Sequence, residues 1–181
     1  MKKLKKPTNK ILDKIDMTSI LENIPKSDTN LVYIDAPSGE EHYRLLAWLG
    51  SKVKGDILEL GTFRGHSALC LAKDGLSVIS FDIEDHLSIT EKPENIFFEY
   101  AENGHHLIND SVDLVFIDTM HDGIYEAEVL NHLRSISWKG IVIMDDIVLF
   151  PELAKIWESI PEQKEDWTDI GHHSGTGIIY F

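Results

Sequence analysis

The stretch Asp56-Ile57-Leu58-Glu59-Leu60-Gly61-Thr62-Phe63-Arg64-Gly65-His66-Ser67 decides how the rest of the chain is read. A short apolar run ending at Gly61 suits a strand covered on both faces, and Ser67-Ala68-Leu69-Cys70-Leu71-Ala72 supplies the apolar side of a following helix. Gly61 and Gly65 let the backbone turn tightly and let a ligand come close. A strand, a glycine-bearing turn and a helix are where an open α/β sheet holds a cofactor. Glu59 is the unusual residue, because a carboxylate at the carboxyl end of a central strand is costly to bury without a cationic or donor-rich partner. A ligand amine would serve, and so would capping the next helix or pairing with Arg64; the stretch leaves these open.

Outward from this point the chain alternates strand and helix. Strands are expected near 56–61, 77–82, 95–100, 112–118 and 139–145, and helices near 65–74, 84–91, 102–108, 123–135 and 149–160. Trp167–Gly171 and Gly175–Phe181, joined by His172-His173-Ser174, read as an antiparallel pair at one edge. Before the central strand, Tyr43, Leu45, Leu46, Trp48 and Leu49 make an apolar helix, with Ser38 and Glu41 at capping-box spacing ahead of it and Leu31–Asp35 extended. Ile11, Leu12, Ile15, Ile20, Leu21 and Ile24 suggest an amphipathic helical region ending at Pro25. The expected fold class is thus α/β, a Rossmann-like doubly wound, mostly parallel seven-stranded sheet with a C-terminal antiparallel hairpin. Residues 1–38 form a basic tail and cap, and residues 39–181 the main domain.

With 181 residues and 43% hydrophobic content the chain suits one substantial core. A net charge of -14 disfavours nucleic acid and anionic membranes as partners. No apolar run is long enough to span a bilayer, so a cytoplasmic protein is expected. The single cysteine, Cys70, sits among small apolar residues and reads as a buried inert thiol. Lys2, Lys3, Lys5, Lys6 and Lys10 crowd the start, which reads as a solvated, mobile tail.

The strand ends carry the chemistry. Glu59, Asp82, Asp118, Asp145 and Asp146 all fall there, which suits a polar, partly cationic ligand. Asp82 lies 21 residues after Gly61, where a carboxylate can accept from both ribose hydroxyls of a nucleotide. The turn lacks the G-x-G-x-x-G pattern of a pyrophosphate site, and Glu59 would repel phosphate while welcoming an ammonium. Asp118, Asp145 and Asp146, if they converge, would need a cation between them, and an all-oxygen set favours magnesium, calcium or manganese.

In order and spacing, Glu59–Gly65, Ser80-Phe81-Asp82, Val112–Asp118 and Gly140–Asp146 resemble the motifs of class I S-adenosylmethionine-dependent methyltransferases, from about residue 40 onward. The resemblance, to the small O-methyltransferase-like branch, implies methyl transfer from S-adenosylmethionine to a small-molecule acceptor, at oxygen before nitrogen. It implies that Gly61, Thr62 and Gly65 line the methionine portion with Ser67 on its carboxylate, Ile83 against the adenine, and Glu102 near the adenine amine. At Ala101-Glu102 the commoner Gly-Asp pattern is absent. Asp118, Asp145 and Asp146 resemble the magnesium ligands of catechol-type O-methyltransferases, with Asp146 standing where that branch has asparagine.

The stretch Asp118–Glu126, which carries His121, resembles the Asp-His and Tyr-Glu pattern of another small methyltransferase branch, and a neutral imidazole there would take a proton from an acceptor hydroxyl; capping the next helix or orienting Asp118 are its alternatives. The expected catalytic set is therefore His121, Asp118 and Asp145. His172 and His173 sit in the hairpin turn, with one of them facing the site, and His105-His106 reads as surface decoration. Tyr33, Tyr43, Trp48, Phe63 and Phe150 are aromatic candidates for an acceptor pocket. Two other classes stay in view: a non-catalytic adenosyl-ligand binder or regulatory protein, and an NAD-dependent oxidoreductase. A homodimer is the assembly to test.

Overall fold

A computed structural model describes residues 3–29 and 42–181. The extended and capping features read at 31–41, and the aromatic candidate Tyr33, lie outside them. Two short helices, α1 (Asn9–Leu12) and α2 (Thr18–Asn23), precede α3 (Tyr43–Gly50). The alternating part follows as β1 (Asp56–Leu60), α4 (His66–Leu71), β2 (Val78–Asp82), β3 (Ile96–Tyr100), β4 (Val112–Ile117), α5 (Ile124–Ser135), β5 (Ile141–Asp145) and α6 (Pro151–Ser159). The chain closes with β6 (Gln163–Asp166) and β7 (Thr176–Tyr180). The strands form one seven-stranded sheet in the order β3-β2-β1-β4-β5-β7-β6. The first five are parallel, and β7 is antiparallel to both β5 and β6.

Strand alternation divides the core in two. Ile57, Val78, Leu114, Phe116, Ile141, Ile143 and Ile178 face α3, α4 and the N-terminal helices. Leu58, Leu60, Val115, Ile117, Val142, Met144 and Ile179 face α5 and α6. Because both faces are covered, β1, β4 and β5 read as near-continuous apolar runs, as buried parallel strands do. Glu59 points to the same face as Ile57, in register with Ser80 on β2. Leu12, Met17, Ile20 and Ile24 join the first cluster, so α1 and α2 share the core of the sheet. Cys70 is buried in the same cluster.

Four expectations are corrected. The segment near 84–91 forms bends and no helix, and that near 102–108 is a single 3-10 turn, Gly104–Leu107. The outer hairpin strand is Gln163–Asp166, while Trp167–Ile170 turns away and buries the indole completely. The basic start is docked: Lys3 pairs with Glu165, Lys6 with Asp169, and Leu4 packs against the core. Among the described residues, no helix is long and apolar enough to cross a membrane.

Candidate functional site

The order β2-β1-β4 puts the switch in chain direction between β1 and β4, and two cavities open there at the carboxyl ends of the strands. The larger, about 460 Å³, is lined by Gly61, Phe63, Phe81, Asp82, Ile83, Ala101 and Glu102 from the first three strand ends. Asp118 to Asp122, with Leu60 and Tyr125, complete its wall. The smaller, about 330 Å³, is polar, with Thr62, Arg64, His66 and Ser67 on one side and Asp118, Asp145, Asp146, His42 and His172 on the other. Gly61, Phe63 and Asp118 line both, so the two are lobes of one site.

The β1 turn is built by contacts within the chain. Gly61 has φ +101, and a Cβ there would lie 1.6 Å from the Asp118 carbonyl oxygen, so the approach of β4 demands glycine. Gly65, φ +82, is pressed by Leu87 and Phe98. The Phe63 N–H donates to Asp82 Oδ2 at 2.6 Å, and the Ile83 N–H to Oδ1 at 2.7 Å. A carboxylate has about four lone-pair sites, so Asp82 keeps capacity for a ligand. Ile83 is 57% exposed over the larger lobe.

Glu59 lies beneath the turn and lines neither lobe. The Ser80 hydroxyl donates to its Oε2 and stands 2.6 Å from the Thr62 hydroxyl, which does line the smaller lobe. Burial pushes the Glu59 carboxyl up to about 8, against the opposing pull of the Ser67 and Ser80 hydroxyls. Glu59 makes neither of its alternative contacts: Arg64 donates to Asp28 at 2.6 Å, and α4 begins on Gly65 with no side-chain cap.

Beyond β4 and β5 the side chains sort into two groups. The donor atoms of Asp118, His121 and Asp146 lie within 4.8 Å of one another, as do those of His42, Asp145 and His172. The expected all-carboxylate set of Asp118, Asp145 and Asp146 does not close into one donor group: the three line the same lobe, but Asp145 Oδ2 and Asp146 Oδ1 face His172 Nδ1 at 3.7 and 3.4 Å, and Asp146, with φ +58, turns its other oxygen to His121. Mixed imidazole and carboxylate donors suit zinc, manganese or iron better than magnesium. The residues therefore do not fit the magnesium centre that the resemblance implied.

His121 Nε2 stands 3.1 Å from Asp118 Oδ1 and 2.8 Å from Asp146 Oδ2. Hydrogen bonds to Asp118 and then Asp146 push the imidazole up to about 10 against its partial burial. It is thus a charged partner of two aspartates and not the neutral base expected from the sequence. Burial pushes the Asp146 carboxyl up, but hydrogen bonds from His121, His172 and Ser174 outweigh it and hold the group well below the carboxylate range.

Glu126, buried in the first turn of α5, accepts from the Thr119 hydroxyl at 2.7 Å and from the N–H groups of His121 at 3.1 Å and Gly123 at 2.9 Å. It fixes the loop that carries His121, whose φ is +61. Among the described residues, three of the four non-glycine positions with positive φ, Phe63, His121 and Asp146, stand in this site, where such conformations concentrate.

His42 is the residue that sequence reasoning missed. It is 5% exposed, with Nδ1 3.8 Å from Asp145 Oδ1 and its ring 5.3 Å from that of His172. Burial depresses it to about 3, helped by His172 and opposed by Asp146. No local pattern marks it, since it stands just before α3 and meets Asp145 only through the packing of that helix on the sheet. The β7 return brings His172 to the same place. Of the aromatic candidates, Phe63 lines both lobes and Tyr43 the smaller one, Phe150 stacks near His121, and Trp48 packs against Trp167.

No family model matches the chain, and no curated protein matches its sequence. Solved structures do. The chain is similar to the SAH-bound methyltransferase PaMTH1 of Podospora anserina, at 14% identity over 100% of both chains with a TM-score of 0.61. It is similar to an O-methyltransferase of Bacillus cereus in complex with SAH, at 13% identity over 94% of this chain and 96% of that one, TM-score 0.59. A third is the O-methyltransferase TomG of Streptomyces achromogenes in complex with SAM, at 16% identity over 76% and 78%, TM-score 0.56. The strand order, the turn after β1 and these likenesses together give the chain the Rossmann-like fold of the class I S-adenosylmethionine-dependent methyltransferases.

Proposed function

We propose that this chain binds S-adenosylmethionine and transfers its methyl group to an oxygen of a small-molecule acceptor. The observation that carries the reading is the larger lobe, which joins Asp82-Ile83, Ala101-Glu102 and Asp118 in one wall beside the β1 turn. Asp82 accepts the ribose hydroxyls, Ile83 packs on the adenine, and Glu102 stands near its amine. The smaller lobe takes the amino-acid end, with Gly61, Thr62 and Ser67 in its wall, while Gly65 lines neither lobe and serves the turn behind them. Glu59 acts from below, through Ser80, on the Thr62 hydroxyl. SAM- and SAH-bound neighbours of the same fold support this assignment.

The cofactor supplies a methyl group already activated by its sulfonium, so the chain's task is positioning and proton removal. The acceptor oxygen bonds to the methyl carbon as the carbon–sulfur bond breaks, and the hydroxyl proton passes to the Asp118, His121 and Asp146 group. His121 is already protonated there, so a carboxylate oxygen is the accepting atom. Asp118, which lines both lobes, is best placed. Asp145 acts with His42 and His172 on the far wall.

That His121 is held by two carboxylates favours one second reading, a non-catalytic adenosyl-ligand binder. Calorimetric titration with S-adenosylmethionine, S-adenosylhomocysteine and NAD tests the cofactor. Binding of the first two alone, weakened about 100-fold in a folded Asp82→Ala variant through loss of charge-assisted hydrogen bonds worth about 1.5–3 kcal/mol each, is expected. Binding of NAD alone, or of none, removes the proposal. Consumption of bound S-adenosylmethionine on addition of hydroxylated acceptors separates the enzyme from the binder.

A further inference from the structure

A third cluster of donors lies outside the site. His105 and His106 occupy the 3-10 turn after β3, and His132 stands in the last turn of α5. One ring nitrogen from each of the three lies within 4.8 Å of the others. Ring centroids are 4.2 Å apart for His105 and His106, and 5.3 Å from each of these to His132. Only His106 is exposed, and His105 is 5% exposed, so this is no surface decoration.

From this geometry we propose that His105, His106 and His132 form a binding site for a zinc-class divalent transition ion, separate from the cofactor site and independent of its assignment. Three neutral imidazoles with one open position form a common zinc donor set. Nitrogens at about 2.0–2.1 Å from a tetrahedral ion are roughly 3.4 Å apart, so small rotations of the three rings close the set. His132 Nε2 is buried and has no hydrogen-bond partner among the described residues, the kind of buried polar atom that calls for a partner.

His105 Nδ1 lies 3.2 Å from the Tyr125 hydroxyl. With that nitrogen protonated, Nε2 keeps the free lone pair, the arrangement in which metal-bound histidines are oriented by an outer partner. The local charge agrees. Glu128, exposed one turn before His132 on the same helix face, supplies the nearby negative charge.

The ion would pin the β3–β4 connection to α5 directly behind Tyr125, a residue of the larger lobe. The test is a zinc titration of the full chain, freed of metal, against a chromophoric chelator, with cobalt spectra as a second readout. The wild type is expected to hold zinc at a site that survives His172→Ala and His121→Gln. The surface variant His106→Ala and the variant His132→Ala should weaken that site by at least about tenfold, the scale reached even by outer-shell changes. They should also reduce the zinc-induced rise in Tm, which His172→Ala and His121→Gln leave in place. Zinc held with unchanged stoichiometry and affinity in both histidine-cluster variants, or no zinc held by the wild type, overturns the proposal.

Discussion

His42 and His121 stand against consecutive aspartates and respond in opposite directions. His42, 3.8 Å from Asp145, is depressed to about 3, whereas His121, 2.8 Å from Asp146 and 3.1 Å from Asp118, is pushed up to about 10. Burial is the largest influence on the first, and hydrogen bonds to two carboxylates on the second. One carboxylate beyond hydrogen-bond distance does not offset full desolvation of an imidazolium. Two in contact offset partial desolvation with margin. A shared strand end therefore carries a neutral pole beside Asp145 and a charged pole beside Asp146.

The strongest test of the neutral pole is acid stability. The unfolded chain protonates His42 near pH 6.5 and the folded one near 3, so stability is fully present above 6.5 and lost as pH falls toward 3. The His42→Leu variant lacks this dependence. In chelator-treated protein, chemical denaturation should show wild type losing about 3 kcal/mol more than the variant between pH 6.5 and roughly pH 4. Parallel acid limbs would mean that His42 is hydrated and that burial does not rule it.

Glu59 repeats the burial argument with an acid. Its folded carboxyl is raised to about 8 from 4.5, so the native state binds the extra proton between those values and stability falls as pH rises through that window. Glu59→Gln keeps an acceptor for the Ser80 hydroxyl and removes the titration. Near pH 8 it should be more stable than wild type by about 4 kcal/mol, with the difference vanishing near pH 4.5. A variant less stable at every pH would show that the carboxylate is ionised in the fold and compensated by a donor.

These poles also mark where the sequence stops being informative. The strands were legible because parallel, doubly covered strands are apolar runs punctuated by acids at their ends, and two of those acids, Asp82 and Asp118, line the larger cavity. Gly61 was legible as a turn but not for its reason, the Asp118 carbonyl arriving from β4. Trp167 misled because its apolar neighbourhood reads as strand, while its ring fills core under a turn. His42 and His172 were illegible as a pair, since they meet only through α3 packing on the sheet and the β7 return. Asp146 was legible as an acid but not in direction, which its positive φ sets.

The charged pole is broken most directly by Asp146→Asn. Asparagine tolerates the left-handed backbone, so the loop keeps its path while His121 loses one of two carboxylates. The cost should be about 2 kcal/mol at neutral pH, from charge-assisted bonds to His121 and His172. The sign follows from the raised imidazole: the contribution of His121 is present below about pH 6.5 and fades as pH climbs through 10, so the difference from wild type shrinks in alkali. A constant difference up to pH 11 would assign the loss to Ser174 and the loop alone.

Phe150 gives the smallest and most discriminating effect. Its ring centroid lies 5.5 Å from that of His121, with the planes 31° apart. An aromatic face within about 6 Å of a cation contributes about 0.5–1 kcal/mol where partly exposed, and much less to a neutral ring. Phe150→Leu keeps apolar cover and removes the quadrupole, so the His121 titration, followed by its imidazole NMR signals, should move down by less than about one pH unit. His42 provides the internal control: its edge-on contact with Phe116 involves an uncharged ring, and Phe116→Leu should leave the His42 titration where burial puts it. A downward move at His121 with none at His42 would separate charge from burial at the two poles, and equal moves would show that both rings respond to packing alone.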